Sequence, residues 1–168
     1  MTTKRINSKT KGNNFERKIS NRLSERFEKA TGKEKSFRRS QDSGSFFGGS
    51  NQYRKETHDL DKATFGDIVT PSNFLFTIEC KHYKDAPTMN SLVLQNCKMF
   101  DEWISQAEQD STNSGKKFII IAKFNNVAEI VIINELFGTL SSVINYKNYF
   151  VVNMEDFLKQ NDEYFFGE

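Results

Sequence analysis

Three residues whose types and spacing suit chemistry stand close together in the chain. Glu79 and Lys81 flank one residue near the end of the apolar run Phe74-Leu75-Phe76-Thr77-Ile78-Glu79-Cys80-Lys81, and Asp67 lies upstream in Gly66-Asp67-Ile68-Val69. Burying a charge costs on the order of several kcal/mol unless something pairs with it or uses it. Alternate side chains of a strand share a face, so Phe74, Phe76, Ile78 and Cys80 look one way and Leu75, Thr77, Glu79 and Lys81 the other. A turn at Pro71-Ser72-Asn73 predicts a hairpin that pairs residue 70 with 76 and hence 67 with 79. Asp67 then stands opposite Glu79 with Cβ atoms about 5 Å apart. Two carboxylates that close repel each other unless a cation lies between them, and oxygen donors of this kind suit Mg²⁺, with Mn²⁺ able to substitute. Such a cation lowers the pKa of a bound water and polarises a phosphoryl oxygen, while Lys81 orients that water and offsets developing charge. The expectation is metal-assisted phosphodiester hydrolysis. A purely structural ion pair is the competing reading, because acid-x-Lys by itself is a weak pattern; Glu16-Arg17-Lys18 has it on a helix, where those side chains do not share a face.

The elements that must hold these residues follow from hydrophobic period. Asn13 or Asn14 caps a helix with Phe15, Ile19, Leu23, Phe27 and Ala30 on its apolar face, and Gly32 ends it. Residues 1–11 before it read as a mobile basic arm, and Ser36-Phe37-Arg38-Arg39-Ser40 as a short strand. The stretch from 41 to 65 is rich in Gly, Ser and charge, longer than a compact domain usually spends on a connection. After the hairpin, Pro87 breaks the chain, Leu92 to Gln109 is periodic as a helix, and Asp110 to Gly115 reads as a loop. Phe118 to Phe124, Ala128 to Ile133 and Asn148 to Val152 read as strands, with a short helix from Met154 or Glu155. This order predicts an α/β fold, a central mixed sheet flanked by helices, in one domain over 12–168.

Composition agrees with a single core: the chain has 168 residues, 36% of them hydrophobic and 16 of them Phe. No run approaches the roughly 18 apolar residues of a membrane span, and the basic start is unlike a signal peptide, so a cytoplasmic protein is expected. Cys80 and Cys97 are spaced for neither zinc nor a disulfide framework and read as buried thiols; His58 and His82 form no ligand spacing. The net charge of +2 is unevenly spread: the first 39 residues hold 13 of 24 Lys and Arg but 4 of 22 acids, which leaves 11 basic against 18 acidic residues beyond. That asymmetry points to an anionic partner at the N-terminal third, with Lys4, Lys9, Lys11, Arg38 and Arg39 as candidate phosphate contacts. Nothing resembles a base-reading helix or a zinc finger. Glu16, three residues after Asn13, fits a capping box. Tyr164-Phe165-Phe166 reads as folded onto the core, with an exposed docking tail as the alternative.

Together, Glu16, Asp67 and Glu79-x-Lys81 resemble the PD-(D/E)xK nuclease superfamily, and within it the archaeal-type Holliday junction resolvases. Lys11-Gly12-Asn13-Asn14-Phe15-Glu16-Arg17 is similar to the family's opening helix, and Phe37-Arg38-Arg39-Ser40 to its short basic strand. Gly66-Asp67-Ile68-Val69 with Ile78-Glu79-Cys80-Lys81 resembles its metal-binding hairpin, and Ile121-Ala122-Lys123-Phe124 a late strand. The resemblance implies a restriction-endonuclease-like fold with an αβββαβ core. It implies an Mg²⁺-dependent endonuclease that cuts four-way DNA junctions as a homodimer, with Asp67 and Glu79 holding the metal, Glu16 supporting it and Lys81 positioning the nucleophile. Ser40 or Ser43 resembles a serine near such sites; Gln95 reads as a polar residue on a surface helix, with a superfamily glutamine as the alternative. Two departures are the long 41–65 insert and a glycine, not a proline, before Asp67. A nuclease of linear duplex DNA and a non-catalytic DNA-binding module of the same fold are the rival expectations.

Overall fold

The computed structural model describes residues 7–40, 65–136 and 138–167. Lys4, Ser43, His58 and the insert from 41 to 64 lie outside them. Helix α1 (Ser8–Arg26) begins earlier than its expected cap: the Asn7 side chain accepts the Lys9 N–H at 2.9 Å. Residues 8–11, read from sequence as arm, are therefore its first turn, and Asn13 sits inside the helix rather than capping it. Phe15, Ile19 and Leu23 form its buried stripe, and Phe27 continues it before a single turn, α2 (Glu28–Thr31), ends at left-handed Gly32.

Strands β1 (Arg38–Arg39) and β2 (Ile68–Val69) pair antiparallel in a small sheet of their own, with Arg38 opposite Val69 and Arg39 opposite Ile68. The expected hairpin of β2 with β3 (Phe76–Tyr83) does not form; β2 spends its ladder on β1, and the chain meets β3 one step earlier, through a single parallel bridge between Gly66 and Ile78. Beyond β3, α3 (Met89–Val93) and α4 (Lys98–Ser114) replace the one helix expected over 92–109. The chain breaks between them at Gln95, whose φ is positive, and α4 continues through Asp110, read from sequence as loop, to left-handed Gly115.

The main sheet has five strands in the order β3-β4-β5-β7-β6, built with β4 (Lys117–Phe124), β5 (Ile130–Ile133), β6 (Val143–Tyr146) and β7 (Tyr149–Asn153). β3 and β4 are parallel, which requires the crossover that α4 supplies; the other pairs are antiparallel. β6, which the sequence did not disclose, is the far edge. Period-2 alternation splits β4 between two cores: Ile119 and Ile121 pack toward α1, and Phe118, Ile120, Ala122 and Phe124 toward α4. The result is a mixed sheet between helices, consistent with a restriction-endonuclease-like fold, with the αβββαβ order running α1, β1, β2, β3, α4, β4.

Short α5 (Met154–Leu158) and α6 (Asp162–Phe166) close the α1 side. Phe165 is fully buried and its ring meets Phe27 at 4.6 Å and Phe157 at 5.2 Å, so this segment is core and not a docking tail. Cys80 and Cys97 are buried free thiols, as expected.

Candidate active site

The site sits at the open edge of β3. Glu79 is 2% exposed and turns toward α4, where the Lys81 ammonium donates to its Oε2 at 2.8 Å. Strand alternation puts both on the same face, as the sequence predicts. Asp67 reaches this edge by an unpredicted route: its N–H donates to the Ile78 carbonyl at 2.8 Å, and its Oδ2 accepts the Cys80 N–H at 2.8 Å. Backbone and carboxylate thus bracket Glu79. Ser40, buried at the end of β1, fastens the other side of Asp67 by donating its N–H to the Asp67 carbonyl at 2.9 Å.

Gly66 makes this approach possible. Its φ is +83°, and a Cβ there would lie 2.6 Å from the Ile78 carbonyl oxygen. Proline, fixed near −65°, cannot adopt that conformation. The glycine before Asp67, a departure from the resolvase pattern, is therefore what this route to β3 requires.

The electrostatics are those of a site under load. Burial, and after it the neighbouring Glu79 charge, raises the Asp67 pKa to about 7, against the opposing Cys80 N–H. Burial likewise raises Glu79; Lys81 opposes the shift, while Asp110 adds to it by charge and by a hydrogen bond. Burial works against the Lys81 ammonium, but Glu79 more than offsets it and its pKa is raised, so Lys81 is a cation at neutral pH. The donor set, two carboxylates whose ionised forms are disfavoured by burial and by each other, fits a divalent cation with oxygen ligands. Among the described residues, no three His, Cys, Asp or Glu side chains are gathered to hold a metal ion. Glu16 is buried on α1, but its Oε2 takes the Arg39 Nε at 2.5 Å, and Arg39 also donates to the Asn13 Oδ1 at 2.9 Å.

A family model described as phage putative PDDEXK endonuclease matches residues 7–167. The chain belongs to that family. No curated protein and no solved structure matches it. Membership makes the chain a nuclease by family, with DNA as the implied substrate.

Two residues that the sequence reading missed complete the surroundings. Gln106 accepts a second hydrogen bond from the Lys81 ammonium at 2.8 Å, and Asp110, one turn further along α4, meets Glu79. Their i,i+4 spacing, on the side of the helix that carries Trp103 and Ala107, was the available signal. Ending the helix at Gln109 concealed it. Gln95 is exposed and accepts the Lys147 N–H at 2.7 Å, in keeping with its reading as a surface polar residue and not as a glutamine of the site. Of the candidate phosphate contacts, Lys9 and Arg38 are exposed, Lys11 is half-buried and Arg39 is held by Glu16.

Proposed function

We propose that the chain is an Mg²⁺-dependent endonuclease, with Mn²⁺ able to substitute, that hydrolyses DNA phosphodiesters at Asp67 and Glu79. The observation that carries this is the juxtaposition on one strand edge of two carboxylates that resist ionisation and a lysine held cationic between Glu79 and Gln106. Asp67 and Glu79 hold the cation. When bound there it would supply a water of lowered pKa and polarise the scissile phosphate. Lys81, kept protonated by Glu79, donates a hydrogen bond and positive charge rather than accepting a proton, and so positions the attacking water and stabilises the phosphate as its charge rises. Gln106 fixes the direction of the ammonium. Glu16, tied to Arg39, supports the site from α1. Lys9, Lys11, Arg38, Arg39 and Ser40 contact the DNA backbone in this reading, and Lys4, which lies outside the described residues, is a further candidate.

Its substrate in this reading is a branched four-way junction, resolved by a homodimer, because paired nicks need two sites and a symmetric dimer supplies them. Cleavage of a synthetic four-way junction and of a linear duplex of equal length, each with Mg²⁺ and with chelator, tests both levels. The expected result is metal-dependent nicking with the junction preferred. Equal rates on both substrates would remove the junction assignment and leave a duplex endonuclease; cutting in chelator would remove the metal.

A further inference from the structure

A cavity of about 620 Å³ lies on the other side of β3, where the start of α1 meets the strand's end and the turn after β4. Asn7, Ser8 and Lys11 line it from α1, His82 and Lys84 from β3 and its continuation, and Asn125 from the turn. None of the described residues that line it is acidic, and two are lysines. Tyr83 adds an aromatic wall, and two side-chain amides, a hydroxyl and the positive end of a 19-residue helix stand beside the lysines. His82 packs its ring against Phe15 at 5.6 Å, and its Nδ1 has no hydrogen-bond partner among the described residues. Two lysines beside a helix N-terminus suit a phosphate group.

β3 ends at Tyr83 and Lys84 stands at the bend after it, so the cavity opens at the C-terminal end of the strand, on the face opposite Glu79 and Lys81. We propose that this cavity is a phosphate subsite that seats a backbone phosphodiester of the bound DNA other than the one cut at Asp67 and Glu79, with Lys11 and Lys84 neutralising it. The inference rests on the nuclease reading and adds to it a second anchoring point, which fixes the direction of the strand through the site.

The test is DNA binding without divalent metal across a range of salt concentrations, for wild type, Lys11→Gln/Lys84→Gln, and Lys29→Gln at the opposite end of α1 as control. Loss of one seated phosphate should lower the slope of log K against log salt by about 0.9 in the double variant and leave the control unchanged. An unchanged slope would overturn the subsite. A large loss of the saturated cleavage rate would also overturn it, by assigning the lysines to the reaction itself. Titration with inorganic phosphate at constant ionic strength separates the two sources of phosphate: a shift of the His82 ring resonances in wild type with no change of DNA salt slope in the double variant would mean a free-phosphate site and sink the DNA assignment. Wild-type protein that neither binds nor cuts DNA would instead sink the nuclease reading, a result visible before any variant is made.

Discussion

Asp67 and Asp156 are two aspartates treated in opposite ways. Asp156, on α5, has its Oδ2 served by the Ser141 N–H at 2.8 Å, the Asn153 Nδ2 at 2.9 Å and the Ser141 hydroxyl. Those hydrogen bonds, the hydroxyl's first, hold its pKa down at about 2. Asp67 receives one backbone N–H, faces Glu79, and is pushed up to about 7. A carboxylate that ties a loop to a helix is given every donor it needs; one set beside a second buried carboxylate at the strand edge is left short of them. The difference marks the site more clearly than the presence of acidic residues does.

Removing either member of the frustrated pair has the largest expected effect. Glu79→Gln or Asp67→Asn should slow DNA cleavage about a thousand-fold, roughly 4 kcal/mol of barrier, while Asp156→Asn leaves the rate alone. If all three variants cut at wild-type rate, the contrast has no functional content.

Stability against pH should differ in sign. The folded pKa of Asp67 lies above its unfolded value of about 3.9, so the folded state holds a proton that the unfolded chain has lost, and this contribution is complete below about pH 4 and disappears as pH rises through 7. On the order of 2–4 kcal/mol is at stake, and Asp67→Asn should flatten that part of the profile. Asp156 is the reverse: its contribution is present above the unfolded pKa and is lost as pH falls toward 2. Denaturant melts of both Asn variants from acid to neutral pH check this, and identical profiles would end the comparison. Mg²⁺ should restore stability to wild type at pH 8 but not to Asp67→Asn.

Gly66→Ala should cost about 1–3 kcal/mol in a melt, from a positive φ and a clash with the Ile78 carbonyl, and should slow cleavage by displacing Asp67. Asp156→Ala is expected to lower the denaturation midpoint through loss of its hydrogen bonds to Ser141 and Asn153, with no change in cleavage rate. Smallest of all, Gln106→Ala should reduce cleavage about ten-fold with the fold intact, because Lys81 keeps its bond to Glu79.

The apolar periods of α1 and β4 and the alternation along β3 were legible because each depends on a repeat of a few residues. So was the sharing of a face by Glu79 and Lys81, and membership of the PD-(D/E)xK superfamily, though not the archaeal-type resolvase branch of it. The pairing of β2 was not: Ile68 is buried whether its strand runs beside β1 or β3, so hydrophobicity cannot choose between them. The extent of α4 was obscured by polar residues in 108–114, which favour a loop by composition but are helical here, up to the cap at Gly115.

Sequence alone therefore determined the strand β3, the face of it on which Glu79 and Lys81 stand, and the α/β class, all consequences of local geometry and burial. Only the tertiary structure decided how Asp67 arrives, through a left-handed Gly66 pressed against the Ile78 carbonyl, and which residues of α4 attend Lys81 and Glu79. Those contacts join segments far apart in the chain, and their existence depends on how the sheet and helices pack, which no short stretch of sequence encodes.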